Sequence, residues 1–116
     1  MKVLIIDDDS MMLRMASFIV KKAGHEALTA QSGEEGIELA RSEVPDMAFI
    51  DVEMPVMDGF TAAEQIKSDA ALSGVRICMM SGTVTDEVTA RAEQLGADGV
   101  VAKPLNAAEI VGIING

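Results

Sequence analysis

Five polar residues stand where short apolar runs of the sequence end: Asp7, Asp8, Asp51, Ser81 and Lys103. If the fold brings the three carboxylates within about 4–6 Å of one another, they repel, and the group must hold a proton or a cation. Mg²⁺ prefers oxygen ligands and is usually held by one or two carboxylates together with water and phosphate oxygens. Three aspartates, one Mg²⁺ and one lysine sum to zero formal charge. The set therefore predicts a magnesium site open to a phosphoryl group, with Asp51 as the nucleophile that forms an acyl phosphate.

Alternating apolar runs and helical segments supply the elements that would position these residues. The runs lack the in-and-out alternation of a half-exposed strand, which indicates strands buried on both faces of a sheet. Five strands that alternate with five helices predict an α/β fold with a parallel sheet and right-handed crossovers. The carboxyl ends of parallel strands share one edge, where such folds bind ligands. The predicted strands are Val3–Ile6, Ala27–Ala30, Met47–Ile50, Val75–Met80 and Gly99–Ala102.

The intervening segments have helical periodicity and recognisable ends. The first helix has an apolar face with residues spaced three and four apart, namely Met12, Met15, Ala16, Ile19, Val20 and Ala23. Ser32 and Glu35 form a capping box at the start of the second helix. The helices are predicted over Ser10–Ala23, from Ser32 to before Pro45, over Phe60–Ala70, from near Thr85 to Gly96, and from about Asn106 onward.

Composition narrows the possible functions. The 116 residues make one domain and are too few for an α/β barrel or a complete dinucleotide-binding fold. A net charge of −10 and the lack of Trp and Tyr disfavour nucleic acid or an anionic membrane as a partner. The single Cys78 permits no internal disulfide, which is typical of a reducing compartment. No run approaches the roughly 18 apolar residues of a membrane helix, and we expect a soluble, cytoplasmic protein.

Four motifs appear in order along the chain: Asp7-Asp8, Asp51 with Met54-Pro55 and Asp58-Gly59, Ser81-Gly82, and Lys103-Pro104. In the order and spacing of these motifs, nearly the whole chain resembles the receiver domain of two-component response regulators. It is similar in size to the single-domain chemotaxis regulators. The resemblance implies a flavodoxin-like (βα)5 fold, a three-layer sandwich with strand order 2-1-3-4-5, and one receiver domain over residues 1–116. Because the final helix ends early, at Asn115-Gly116, we expect either a receiver cut from a longer protein or a shortened form of a receiver.

The resemblance also implies a role for each acidic residue. Asp51 is expected to accept a phosphoryl group from the phosphohistidine of a sensor histidine kinase or a phosphotransfer protein. Asp8 and Asp51 are expected to bind Mg²⁺ directly, together with the backbone carbonyl of Glu53, whereas Asp7 acts mainly through bound water. The chain would be a signalling domain rather than an enzyme, because it catalyses only its own phosphorylation and dephosphorylation.

The remaining motif residues are expected to respond to the phosphoryl group. Ser81 hydrogen-bonds one phosphoryl oxygen, Lys103 forms an ion pair with another, and Pro104 follows a cis peptide bond. In the family, the fourth helix, fifth strand and fifth helix then shift between two states and contact a downstream effector protein or domain. Val100 stands where the family usually has an aromatic residue in the fifth strand, so we expect the aromatic part of this switch to be absent.

Three other interpretations remain open from the residues alone. A phosphatase of the haloacid dehalogenase type also places a nucleophilic Asp at a strand end beside Mg²⁺, although Asp51-Val52-Glu53 fits its motif only loosely. A flavodoxin-like redox carrier shares the topology, but it needs a Gly/Ser/Thr-rich phosphate loop where Asp7-Asp8-Asp9 stands. A pseudo-receiver has the same fold and serves as a docking module without ever being phosphorylated.

Overall fold

Strands and helices alternate along the whole chain in the computed structural model, which describes residues 1–116. The strands are β1 (Lys2–Ile6), β2 (Glu26–Ala30), β3 (Met47–Asp51), β4 (Arg76–Ser81) and β5 (Gly99–Ala102). The helices are α1 (Ser10–Lys22), α2 (Gly33–Glu43), α3 (Gly59–Ser68), α4 (Asp86–Leu95) and α5 (Ala107–Asn115), with a 3-10 helix at Ala70–Leu72. All strand pairs are parallel and the order is β2-β1-β3-β4-β5. The predicted fold class and strand order are confirmed.

Two layers of helices cover the sheet, because alternate residues of each strand point to opposite faces. On one face, α2, α3 and α4 pack against strand residues such as Leu4, Ile50 and Met79. On the other face, α1 and α5 pack against residues such as Ile5 and Phe49. The central strands are therefore buried on both sides, as their continuous apolar runs indicate. None of the helices combines the length and apolar character needed to cross a membrane.

The edge strand β2 differs from the prediction that every strand is buried on both faces. Glu26 and Thr29 are exposed, and Ala30 is the only residue of β2 that is fully buried. β2 has a single neighbouring strand, β1, so the helices that cover the inner strands leave part of it open to solvent. An apolar run without in-and-out alternation in the sequence therefore does not distinguish a central strand from an edge strand.

The buried face of α1 agrees only in part with the predicted one. Ala16 and Val20 are buried as predicted, but Leu13 is buried as well, whereas Met15 is 43% exposed. α1 carries apolar residues around most of its circumference, so periodicity alone fixes its orientation poorly. Packing on the sheet selects the stripe that begins at Leu13.

Short side chains define the helix ends. Asp9 caps α1 by accepting a hydrogen bond from the Met11 amide at 2.9 Å. Ser32 caps α2 through the Glu35 amide at 3.1 Å, which confirms half of the predicted capping box. α3 ends at Ser68, two residues before the predicted Ala70. The cause is Asp69, which is extended and whose side chain caps the following 3-10 helix instead.

Candidate functional site

Two neighbouring strands bring the central carboxylates together. β1 and β3 are paired with Ile6 opposite Ile50, so Asp7 and Asp51 are the next residues along the two strands. Both side chains are buried, with Asp7 at 0% and Asp51 at 3% exposure. Asp8 follows Asp7 and is exposed. Carboxylate oxygens of all three aspartates lie within 4.8 Å of one another.

One cation faces this acidic group. Lys103 Nζ lies 2.8 Å from Asp7 Oδ2 and 3.0 Å from Asp51 Oδ2, and the lysine side chain is 20% exposed. Both contacts are ion pairs, and apart from the Lys103 ammonium group the buried Asp7 Oδ2 has no hydrogen-bond partner. The other oxygen, Asp7 Oδ1, accepts a bond from the Asp9 amide at 2.9 Å. The site thus sets a single positive charge against three carboxylates, two of them buried.

The titration of Asp51 reflects this imbalance. Burial raises the pKa of the Asp51 carboxyl from 3.8 to about 6, Lys103 opposes the rise, and the negative charge of Asp7 adds to it. For Lys103, burial lowers the pKa, but contacts with Asp7 and Asp51 outweigh it, so the net shift is upward and the lysine stays charged. Repulsion and desolvation therefore destabilise the ionised cluster, and a cation would relieve both.

The end of β5 positions Lys103. Ala102 is the last residue of β5 and is paired with Ser81 of β4. The Lys103 amide continues this pairing and donates to the Ser81 carbonyl at 2.9 Å. The peptide bond between Lys103 and Pro104 is cis, which confirms the prediction for Pro104. The parallel register thus carries the lysine to the same edge as the aspartates.

Ser81 lies at this edge but does not bond to the carboxylates. It is the last residue of β4 and is 1% exposed. Its hydroxyl donates to the Thr83 carbonyl at 2.8 Å, and Ser81 Oγ accepts from the Thr83 amide at 3.1 Å. In this structure the hydroxyl holds the first residues of the loop that leads to α4.

The segment after Asp51 turns back to its starting point. The Glu53 amide donates to Asp51 Oδ1 at 3.3 Å. Asp58 caps α3 through the Thr61 amide at 2.9 Å. A Cβ atom at Gly59 would clash with the Asp51 carbonyl oxygen, so only glycine permits this approach. The Asp58-Gly59 pair predicts a turn, but the contact between Gly59 and Asp51 depends on tertiary structure and is not evident from sequence.

The donor set fits a hard divalent cation. Three carboxylates converge, and oxygen is the only ligand atom the cluster offers. Mg²⁺ binds such sets and keeps coordination positions free for water or phosphate oxygens. The structure therefore brings together four of the predicted residues, namely Asp7, Asp8, Asp51 and Lys103, with Ser81 alongside and turned toward Thr83.

A known protein family and individual relatives match nearly the whole chain. The family model described as the response regulator receiver domain matches residues 3–115. Protein PilH of Pseudomonas aeruginosa is 31% identical in an alignment 116 residues long that covers 98% of this chain and 94% of PilH. The probable transcriptional regulator ycf27 of Guillardia theta is 35% identical in an alignment 111 residues long that covers 94% of this chain and 42% of that protein. The chain thus spans less than half the length of this relative.

Solved structures also superpose on nearly the whole chain. The Vibrio cholerae chemotaxis protein CheY4 superposes with a TM-score of 0.93 at 29% identity, covering 98% of this chain and 95% of that one. The complex of CheX, CheY, BeF3 and Mg²⁺ from Borrelia burgdorferi contains a chain that superposes with a TM-score of 0.90 at 26% identity, covering 97% of this chain and 85% of that one.

Proposed function

The chain belongs to the response regulator receiver domain family, whose members are signalling modules of two-component systems, and we propose that Asp51 is its phospho-acceptor. The donor is the phosphohistidine of a sensor histidine kinase or a phosphotransfer protein. One observation carries the proposal. The buried Asp51 carboxylate lies 3.0 Å from the Lys103 ammonium group, beside two further carboxylates at the carboxyl edge of the sheet.

The proposed reaction is an in-line displacement at phosphorus. An oxygen of the ionised Asp51 carboxylate forms a bond to phosphorus as the phosphorus–nitrogen bond of the phosphohistidine breaks, and the electron pair stays on the imidazole nitrogen. Lys103 is already in contact with Asp51, so its charge can pair with a phosphoryl oxygen without a large movement. Hydrolysis of the resulting acyl phosphate returns the chain to its starting state. The chain would act on itself and on no other substrate.

We assign the metal site to the carboxylates of Asp7, Asp8 and Asp51 and to the backbone carbonyl of Glu53. Asp8 is the exposed member and offers ligand atoms to a hydrated ion. For the buried Asp7 we propose binding mainly through water. When bound, Mg²⁺ supplies positive charge to the phosphoryl oxygens. The Borrelia CheY complex, which contains Mg²⁺ and BeF3, supports this assignment.

Ser81 provides the proposed link from phosphorylation to conformation. A phosphoryl oxygen on Asp51 would compete for the Ser81 hydroxyl, which now donates to the Thr83 carbonyl. Moving the hydroxyl removes a bond that holds the loop before α4, and α4 has only one fully buried residue, Ala92, to resist the shift. Charge-assisted hydrogen bonds of roughly 1.5–3 kcal/mol each are of the size needed to invert a two-state equilibrium, about 5.5 kcal/mol.

The proposed output surface is α4, β5 and α5, which would contact a downstream effector protein or domain. Val100 in β5 is half-buried against the core beneath α4, and as a β-branched residue it has few rotamers. The switch would then depend on the Ser81 loop rather than on rotation of an aromatic side chain. Under this proposal residues 1–116 act as one receiver domain.

Intact-mass spectrometry after incubation with acetyl phosphate and Mg²⁺ tests the acceptor. We expect the wild-type chain to gain one phosphoryl group, and Asp51→Asn or removal of Mg²⁺ with EDTA to abolish the gain. Asp46→Asn is the matched control, because Asp46 is an exposed aspartate just before β3, at the opposite edge of the sheet. A modification that persists in Asp51→Asn contradicts the assignment. Wild-type chain that stays unmodified with every donor favours the pseudo-receiver interpretation, and continuous turnover of a phosphate ester favours the phosphatase.

A further inference from the structure

One cationic side chain of α4 lies over an aromatic ring of α3. The guanidinium carbon of Arg91 is 4.2 Å from the centroid of the Phe60 ring. Phe60 is 2% exposed and belongs to the core on this face of the sheet, whereas Arg91 is an exposed residue of α4. A guanidinium group within about 6 Å of a ring centroid is attracted to the ring, most strongly where water is excluded. Arg91 therefore covers a face of a buried ring and joins two helices.

Arg91 contacts Phe60 rather than the acid nearest to it on its own helix. Glu87 precedes Arg91 by four residues, the spacing and order that favour an acid–base pair on a helix. Arg91 nevertheless forms no ion pair with Glu87 or with any other acid of the chain. The guanidinium group is thus directed toward α3 instead of along α4.

A second contact between a cation and a ring shows what is particular about this one. Lys22 lies over the Phe18 ring at 5.8 Å, and both residues belong to α1, one turn apart. That contact follows from the geometry of a single helix. Arg91 and Phe60 belong to different helices, so their contact depends on the distance between α3 and α4. From 4.2 Å, an outward shift of about 2 Å takes Arg91 to the limit of the attraction.

The two partners of this contact differ in how firmly they are held. Phe60 is buried and follows Gly59, whose backbone touches the Asp51 carbonyl, so the first turn of α3 is fixed to the end of β3. In α4, by contrast, Ala92 is the only fully buried residue. The contact of Arg91 with Phe60 therefore ties a weakly buried helix to a firmly held one beside the acceptor.

We propose that Arg91 and Phe60 form a latch that holds α4 against α3 in the unphosphorylated chain and must open before α4 can shift. This inference rests on the proposed function. Ser81 holds the loop before α4 through Thr83, and a phosphoryl group on Asp51 would release that bond. The latch lies in the second half of α4, so it is not released together with Ser81. Opening it opposes the shift, and its strength therefore sets the fraction of chains that respond.

Linkage makes the latch measurable through the acceptor site. If the latch stabilises the unshifted state, removing it favours the shifted state, and a ligand that prefers the shifted state binds more tightly by the same factor. The probe is BeF3 with Mg²⁺, which the Borrelia complex contains and which resembles a phosphoryl group without reacting further. In titration calorimetry we expect Arg91→Ala to bind BeF3 about fivefold more tightly than the wild-type chain. In the ligand-free chain, the amides of α4 should exchange hydrogen about fivefold faster.

Two further variants separate a latch from a general loosening of the chain. Lys22→Ala removes an equal charge and a cation–ring contact within α1, and it should change the affinity for BeF3 by less than about twofold. Phe60→Leu removes the ring but keeps an apolar side chain. In the Phe60→Leu background, Arg91→Ala should have almost no further effect on the affinity, because the partner of Arg91 is already absent.

The affinity for BeF3 decides between a latch and a purely structural contact. Faster exchange in α4 without tighter binding overturns the latch, and so does equal tightening in Lys22→Ala or a full effect of Arg91→Ala in the Phe60→Leu background. Phosphorylation of the wild-type chain by acetyl phosphate tests the proposed function separately. If the wild-type chain is phosphorylated and Arg91→Ala binds BeF3 no more tightly, the latch alone fails. If the wild-type chain accepts neither a phosphoryl group nor BeF3, the proposed function fails, and the latch fails with it.

Discussion

The two edges of the sheet differ in how their charged side chains are paired. At the amino edge each base has its own acid: Lys2 Nζ lies 3.1 Å from Glu43 Oε1, and Arg76 Nε lies 3.0 Å from Asp98 Oδ2. These side chains are between 36% and 45% exposed, so water screens them as well. At the carboxyl edge three aspartates share one lysine, and two of the aspartates are buried.

The hydrogen bonds follow the same division. At the amino edge the Lys2 amide donates to Asp46 at 2.7 Å, and Arg76 donates to the Ile113 and Ile114 carbonyls at the end of α5. At the carboxyl edge a buried oxygen of Asp7 has no partner besides the shared Lys103. The amino edge therefore stabilises the fold through paired charges. The carboxyl edge instead keeps an unfavourable arrangement of charges, and binding of a cation and a phosphoryl group would complete the site.

The largest expected effect is a gain of stability when the acceptor is neutralised. Unfolded Asp51 has a pKa near 3.8 and the folded chain holds it near 6, so between these values the folded chain binds more protons. Its contribution to stability therefore falls as pH rises from about 4 to about 6. We expect Asp51→Asn to raise the free energy of unfolding by about 1–3 kcal/mol at about pH 7 in EDTA, and by almost nothing at about pH 4.

Urea unfolding at the two pH values measures this effect. Mg²⁺ should narrow the difference at neutral pH, because binding to the folded wild-type chain stabilises it by mass action. If Asp51→Asn is less stable than the wild-type chain at neutral pH in EDTA, the charges at the carboxyl edge do not destabilise the fold. The contrast between the two edges would then disappear.

The next effect, of opposite sign, is expected at Arg76. Its guanidinium group pairs with Asp98 and donates to the last carbonyls of α5, at 3.2 Å to Ile113 and 3.5 Å to Ile114. Arg76→Ala removes a partly exposed ion pair and the positive charge near the negative end of a helix, so we expect a loss of about 1–2 kcal/mol. Hydrogen exchange should show the loss concentrated in α5, with phosphorylation by acetyl phosphate unchanged. Uniform faster exchange, or a loss of phosphorylation, would mean that the two edges are coupled.

The position of the acidic site could be predicted because it follows from topology. Asp7 and Asp51 each follow an apolar run, and in a parallel sheet the ends of such runs meet at one edge whatever the loops do. Lys103 joins them for the same reason, at the end of β5. These predictions need the order of elements and not the details of packing.

Features that depend on packing were beyond the sequence. The bond from Ser81 to Thr83 reflects the rotamer of one hydroxyl, which local loop geometry selects. The choice of Leu13 over Met15 for the core of α1 depends on the sheet beneath, because both residues are apolar. The capping of α5 by Arg76 joins residues far apart in the chain, and no local pattern marks it.

The smallest effect on stability is expected when the charge of Lys2, at the amino edge, is removed. The hydrogen bond and charge of Glu43 raise the pKa of Lys2 above 10.5, so the contribution of Lys2 to stability is constant through neutral pH and is lost in strongly alkaline solution. Lys2→Met keeps the apolar stem and removes the charge. We expect a slight decrease in unfolding temperature at neutral pH that disappears in about 1 M salt, where the screening length is about 3 Å. A salt-resistant decrease larger than that of Arg76→Ala would require a buried role for this pair, because exposed ion pairs cannot stabilise a fold to that extent.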